Sequence, residues 1–466
     1  MKLSQLIDGI HAEILSGGAD STPTAICCDS RKASPGALFV AVQGTQANGR
    51  DFVKDAMDKG ASCAIQTDRQ GLAMLADRFF DHPSGKLKLV GITGTNGKTT
   101  TVTLLYRLFK ALGYKCGLLS TIANYVDDER IETDNTTADS ITINSLLARM
   151  VEEGCEYCFM EVSSIGVEQC RTYGLEFAEA IFSNLTHDHL DYHKTFAEYL
   201  RCKKLFFDNL GADATAIINT DDRNGQVMVQ NTRAKVVSYA LKRPADHCCR
   251  IIEESIEGML LSIDGTQLWV RLSGEYNAYN ILAIYTAAIC LGAPQTETLV
   301  QLSSLAPAPG RMETYRLPDG KTVVIDYAHT PDALENILST LKKVEPGRQL
   351  VCLFGCGGDR DSSKRPEMAA VAERYADKIV VSSDNPRSEN ESAIIKDICA
   401  GFSTAGRAKA ICIPDREEGI RTALAIAPAD AVILLAGKGH ETYQITSEGK
   451  RHFDEREVLA SLYKQD

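Results

Sequence analysis

The chain has 466 residues, 44% hydrophobic and 24% charged, with 35 glycines and 14 prolines. That balance excludes a disordered, collagen-like or disulfide-stapled chain and predicts a globular protein of about three domains at ~150 residues each. Fifty Lys and Arg against 62 Asp and Glu leave a net charge of −12, which argues against a broad grip on nucleic acid but permits local basic pockets for small anions.

Residues 1–85 read as a small α/β unit, with strand-like runs at 25–28, 37–42 and 61–65 and a helical stretch at 52–59. The start of the chain is broken by Asp8 and His11 and has no signal-peptide core. No window approaches the ~18 apolar residues of a membrane span, so a cytoplasmic protein without membrane insertion is expected. Asp81-His82-Pro83-Ser84-Gly85 joins Pro to Gly and reads as a linker. A buried-type strand at 87–93, a glycine loop and a helical pattern at 99–112 follow. Strand and helix then alternate, which predicts a central domain over 86–308 built on a mainly parallel sheet covered on both faces. Ala306-Pro307-Ala308-Pro309-Gly310 is a second linker. Beyond it, strands at 323–326, 350–354, 378–382 and 431–436 make a third, Rossmann-like α/β domain over 309–466. The 15 cysteines are odd in number and scattered through apolar runs. Cys155 and Cys158 lack a second pair at zinc-finger spacing, so the cysteines read as small buried hydrophobes.

The first chemical signal is Gly94-Thr95-Asn96-Gly97-Lys98-Thr99-Thr100 between a strand and a helix. Glycines let backbone N–H groups face phosphate oxygens, and the helix N-terminus adds partial positive charge. Lys98 would reach the β- and γ-phosphates and Thr99 would ligate Mg²⁺. The strict phosphate-loop pattern asks for glycine at position 92, where Ile92 stands. Such a loop serves kinases, motors, switches and ligases alike. Glu161 ends the strand-like run 157–162, where its carboxylate can join Thr99 on a metal. The polar run 184–193 follows another strand, and ligands gather at the carboxyl ends of strands in open α/β sheets. Its three histidines invite zinc, but the phosphate loop favours Mg²⁺. His189 is the metal-site candidate, with His187 and His193 capping or packing.

Eight motifs in order then carry a resemblance across the chain: the phosphate loop, Met160-Glu161-Val162-Ser163-Ser164, Asn184-Leu185 with 188–193, Pro309-Gly310-Arg311-Met312-Glu313, Asp326-Tyr327-Ala328-His329-Thr330-Pro331-Asp332, the 354–361 run, Asp384-Asn385-Pro386-Arg387, and Gly437-Lys438-Gly439-His440-Glu441. Together they resemble the Mur ligases. The likeness narrows to the member that extends UDP-N-acetylmuramoyl-L-alanyl-D-glutamate by a third amino acid. It implies a three-domain α/β fold and a monomeric ATP-dependent amide ligase of peptidoglycan synthesis that works through an acyl phosphate. By the same resemblance Thr99 and Glu161 hold the nucleotide Mg²⁺ and His189 a second one. Lys203, carbamylated by CO₂, joins the metal site, with Lys204 the alternative if the register slips by one. Asn280 meets adenine, and Arg311 and Asp326 complete the nucleotide site. Ser30, Thr45, Gln46 and Ala47 meet the uridine diphosphate end, and Asn135, Thr136, Thr137, Ser163, Gln169 and Arg171 the sugar and peptide. Arg360, Asp384, Asn385, Pro386, Arg387, Gly437 and Glu441 take the amino acid, expected to be meso-diaminopimelate; L-lysine-adding relatives usually differ in the 384–387 run. Bland readings stand beside these, such as Arg387 paired to Glu389 on a surface loop. The chain departs from the family at Ile165, where relatives usually have histidine. Folylpolyglutamate synthase and a non-catalytic nucleotide switch are the rival readings.

Overall fold

Strands too apolar to face water on either side force helices onto both faces of each sheet, and three such sheets form. The computed structural model describes residues 1–44, 48–133, 135–188 and 190–463, with the backbone alone for 190, 191 and 463. The first sheet has the order β1-β4-β3-β2, from β1 (Glu13–Ser16), β2 (Ala25–Cys27), β3 (Ala37–Ala41) and β4 (Cys63–Gln66). Every residue of β3, Ala-Leu-Phe-Val-Ala, is buried.

The central sheet has eleven strands: β5 (Lys88–Thr93), β6 (Cys116–Leu119), β7 (Asn124–Val126), β8 (Glu129–Ile131), β9 (Tyr157–Glu161), β10 (Phe177–Phe182), β11 (Thr215–Asn219), β12 (Lys235–Ala240), β13 (His247–Ser255), β14 (Gly258–Ile263) and β15 (Thr266–Val270). Parallel pairing runs from β6 through β9, β5, β10, β11 and β12 to β13. The expected parallel sheet is thus extended at both edges by antiparallel strands, β7–β8 and β14–β15. Asp264-Gly265, both at positive φ (47° and 87°), makes one of these turns, the Asp-Gly hairpin signal. On the two faces, Ile92 packs with the helix Lys98–Ala111, and Leu89 with the helix Phe196–Asp208. Cys155 and Cys158 are buried in the latter core, and all fifteen cysteines are free.

The third sheet has the order β16-β17-β21-β18-β19-β20, from β16 (Glu313–Arg316), β17 (Thr322–Asp326), β18 (Leu350–Phe354), β19 (Lys378–Val381), β20 (Ala410–Cys412) and β21 (Val432–Ala436), all parallel except β16. Five of its strands therefore end on one edge, and four of these, β17, β18, β19 and β21, are each followed by a motif loop. Among the described residues no helix is long and apolar enough to cross a membrane.

One core position is costly. Glu179 on β10 is 2% exposed, and among the described residues neither carboxylate oxygen has a hydrogen-bond partner. Burial holds its carboxyl well above the usual range, against a weak pull from Lys88. A carboxyl whose folded pKa is raised stabilises least once the pH has risen through that pKa. Glu179→Leu should therefore gain about 1–3 kcal/mol at pH 8, with a clearly smaller gain near pH 4. Urea unfolding at both pH values checks this; an equal gain at both would rule out titration at Glu179.

Candidate active site

β5 lies between β9 and β10, so its carboxyl end is a natural crevice for a ligand. The chain there turns through Gly94 and Gly97, both at positive φ (154° and 90°). A Cβ on Gly97 would stand 2.4 Å from Asn280 Oδ1, and one on Gly94 1.9 Å from Ser183 Oγ, so only glycine fits at either place. Lys98 opens the helix Lys98–Ala111, and its Nζ donates to the carbonyls of Gly94 and Thr95, each at 2.9 Å. Burial lowers its pKa, while Glu161 and Asp188 oppose the shift. Thr95 Oγ1 meets Tyr199 Oη at 3.1 Å. Asn96 donates through its backbone N–H to Asn184 Oδ1 at 3.0 Å, and through Nδ2 to Asp332 Oδ2 at 2.6 Å. Asp332 belongs to the third-sheet helix Pro331–Val344, so this contact ties that unit to the phosphate loop.

Glu161, at the end of β9, is 1% exposed. Its Oε2 accepts from Thr99 Oγ1 at 3.1 Å and its Oε1 from the Thr121 N–H at 2.8 Å. Arg311 donates to Thr99 Oγ1 at 3.2 Å and lies 4.6 Å over the Tyr327 ring. Among the described residues no cluster of three or more His, Cys, Asp or Glu forms. The adjacent Thr99 hydroxyl and Glu161 carboxylate are hard oxygen donors that fit Mg²⁺, which keeps much of its shell for water and phosphate. Lys203 is buried, donates to Gly94 O at 2.8 Å and lies 4.7 Å over the Tyr199 ring. Burial, and then Lys98, pull its pKa well below the usual lysine range. Lys204 instead pairs with Asp208 at 2.5 Å. His189 lies outside the described residues, as do Thr45, Gln46 and Ala47. His193 packs against Tyr199 and meets Ser164 Oγ at 2.9 Å, and His187 lies 3.8 Å from Asp361.

Residues expected to meet the sugar-peptide gather beside Glu161. Thr137 Oγ1 donates to Glu161 O at 2.9 Å and accepts from the Ser163 N–H at 3.0 Å. Thr136 Oγ1 accepts from Thr121 Oγ1 at 3.1 Å, and Asn135 is exposed. Ser163 caps the helix Ser164–Glu168, in which Ile165 is half-buried. Arg171 is held by Thr137 O and by Gln169 Oε1, the latter at 2.8 Å. Ser30 is buried in the first-sheet unit, its carbonyl accepting from Lys59 Nζ at 3.1 Å.

The loops of the third sheet face the same space. Asn385 Nδ2 donates to Glu441 Oε2 at 2.8 Å, and Lys438 Nζ donates to Asn385 Oδ1 and Glu441 Oε2 at 3.1 and 2.9 Å. Burial pushes the Asp384 carboxyl up, but Lys438 and Arg416 outweigh it and hold the group below its ordinary value. Gly437 is at φ 117°, and a Cβ there would stand 2.5 Å from Asp384 Oδ2. Arg387 does not pair with Glu389: its Nη1 donates to Gly358 O at 2.9 Å and Asn385 O at 3.3 Å, while Arg365 holds Glu389. A cavity of about 300 Å³ is lined by residues 95–100, Glu161, Ser163 and Lys203 on one side and by Arg360, Asp384, Asn385, Arg387, Gly437 and Glu441 on the other. A second, of about 510 Å³, lies between Asn280, Arg311, Asp326 and Asp332. Asp326 Oδ2 also accepts from the Met312 N–H at 2.7 Å. Sequence reasoning passed over Lys438, Asp332, Tyr327 and Arg365. The first three stand inside quoted motifs, and no local signal marks Arg365, whose neighbours in the helix turn are exposed or half-buried.

A phosphate loop facing a second α/β unit across one cavity defines a nucleotide-dependent enzyme class in which two substrates meet between domains. The descriptions Mur ligase family, catalytic domain (22–82), Mur ligase middle domain (92–288) and Mur ligase, glutamate ligase domain (310–439) match the chain in order. It is 46% identical to a UDP-N-acetylmuramoyl-L-alanyl-D-glutamate–2,6-diaminopimelate ligase of Cytophaga hutchinsonii, covering 99% of each chain. It is 47% identical to the protein of that name from Phocaeicola vulgatus, covering 100% of both. A solved structure of a ligase of this name superposes with a TM-score of 0.68 at 29% identity, over 99% of this chain and 98% of that one. Folylpolyglutamate synthase of Mycobacterium tuberculosis shares the fold alone: TM-score 0.66 at 18% identity, over 85% and 96%. The chain belongs to the Mur ligase family.

Proposed function

We propose that this protein is an ATP-dependent amide ligase that joins meso-diaminopimelate to the D-glutamyl γ-carboxylate of UDP-N-acetylmuramoyl-L-alanyl-D-glutamate. It thereby serves peptidoglycan precursor synthesis in the cytoplasm, and through it cell shape and division. One observation carries the reading: a single cavity holds Lys98, Thr99 and Glu161 opposite Asp384, Asn385 and Arg387. We assign 1–85 to the UDP-substrate domain, 86–308 to the ATP domain and 309–466 to the amino-acid domain, acting as a monomer.

The reaction needs two steps because a carboxylate is a poor electrophile. Its oxygen attacks the γ-phosphorus of ATP, ADP leaves, and the acyl phosphate forms. The amine of diaminopimelate then attacks the acyl carbon, phosphate departs, and the amine gives up its proton. Two anions meet in the first step, so a preorganised cation matters most there. Lys98 supplies it from the loop, and Arg311, beside Thr99, adds a second positive charge. Bound through Thr99 and Glu161, Mg²⁺ would neutralise phosphate charge and orient the nucleotide. Arg171, held by Gln169 and Thr137, offers its fork to a substrate carboxylate.

Incubation with ATP, the UDP-dipeptide and meso-diaminopimelate should yield ADP and a product heavier by one diaminopimelate residue. Extension of a folate glutamate chain, or ATP hydrolysis alone, would overturn the proposal.

Carbamate formation needs a neutral nitrogen to attack CO₂, and burial beside Lys98 shifts Lys203 toward that form. Lys203→Ala should lose most activity and regain part of it with formate or acetate, and CO₂-depleted buffer should slow the wild type. Absence of both effects would make Lys203 an ordinary buried lysine.

A further inference from the structure

Arg365 stands in the first turn of the helix Lys364–Tyr375 and is only 2% exposed. Its Nη2 donates to both oxygens of Glu389, at 2.9 and 2.8 Å, and its Nη1 to Asp397 Oδ2 at 2.8 Å. Glu389 Oε1 also accepts the Asp359 N–H at 2.5 Å. Asp359 in turn accepts the backbone N–H and the hydroxyl of Ser388, at 3.1 and 2.7 Å. The Gly358 N–H donates to Asn385 O at 2.9 Å, and a Cβ on Gly358 would stand 1.9 Å from Pro386 O. Two loops are thereby joined along their length, one carrying Arg360 and the other Asn385 and Arg387.

Two features show why an anchor is needed. Asp359 and Arg387 both adopt left-handed backbone, at φ 53° and 54°, which persists in non-glycine residues only where the surroundings over-determine it. Glu389 is also two residues from Arg387. An unclaimed carboxylate there would pair with the Arg387 guanidinium and neutralise it. One arm of the buried Arg365 guanidinium, Nη2, claims both Glu389 oxygens, and Arg387 lines the cavity instead.

We propose that the Arg365–Glu389 ion pair is the positioning element of the amino-acid pocket. It sets the 385–389 loop against the 357–360 loop and withholds Glu389 from Arg387. The proposal rests on the reading of that pocket given above. Neither residue touches substrate, so its mark is a change in amino-acid recognition beyond any loss of stability.

The test compares Glu389→Gln with Asp397→Asn, which weakens the other ion pair of the same guanidinium on its exposed side. Both should lower Tm by similar amounts. Glu389→Gln alone should raise KM for meso-diaminopimelate by roughly 10- to 100-fold, as expected for a misplaced binding group. Its KM values for ATP and the UDP-dipeptide, and kcat at saturation, should stay within about twofold, the pattern of lost ground-state binding. Arg365→Lys keeps the charge without the fork and should fall between wild type and Glu389→Gln. If the amino-acid KM moves equally in Glu389→Gln and Asp397→Asn, or in neither, the positioning role is wrong. If the wild type uses a different amino acid, the substrate reading fails, and the ion pair is judged by the KM for that amino acid.

Discussion

Wild-type protein is expected to prefer meso-diaminopimelate over L-lysine by about 10⁴-fold in kcat/KM, and Arg387→Ala to lose most of that preference. The two amino acids share one head and differ at the other, where diaminopimelate carries a second carboxylate. Arg387 stands in the cavity with one end of its fork held by Gly358 O and Asn385 O. A guanidinium held in this way grips a carboxylate through parallel charge-assisted hydrogen bonds. Lysine would leave that charge desolvated and unmatched. The adjoining Asn385–Glu441–Lys438 network is suited to the distal ammonium, because Glu441 contributes negative charge and Asn385 fixes its direction. Steady-state kinetics with both amino acids, on wild type and Arg387→Ala, checks the expectation. Equal use of both by the wild type, or an unchanged ratio in the variant, would remove Arg387 from specificity.

Lys98→Ala should lower turnover by about 10²–10³-fold or more, with acyl-phosphate formation the step that fails. The Lys98 amine is held on the Gly94 and Thr95 carbonyls, so no reorganisation is needed when γ-phosphate charge must be met. Thermal stability should not fall, because the variant removes a half-buried amine that is costly to desolvate and that sits beside Lys203. Rapid-quench measurement of ADP formation, paired with a melting curve, separates chemistry from folding. Near-normal kcat in the variant would take the loop out of the reaction.

Local signals made much of this legible in the sequence. The phosphate loop is contiguous, and its glycines report a backbone path that side chains would block, as the contacts of Gly94 and Gly97 demonstrate. Apolar runs bounded by glycine and proline located the strands that carry the loops. The roles of scattered residues, such as Asn280 or Gln169, came only from the resemblance to a family, because no spacing in one sequence identifies them. What lay beyond reach was pairing across long separations. Asn96 meets Asp332, Lys203 rather than Lys204 turns to the loop, and Glu389 belongs to Arg365 and not to Arg387. Periodicity reports which face of an element is buried, never which distant carboxylate shares that face. The antiparallel strands that extend the central sheet escaped for a related reason: their hairpin turns are local, but whether a hairpin joins an existing edge depends on what that edge leaves unpaired. Local pattern alone yields a phosphate loop, α/β layers and an arginine-bearing loop. Which charges face the common cavity is settled by long-range packing, because burial and desolvation arise when the sheets come together.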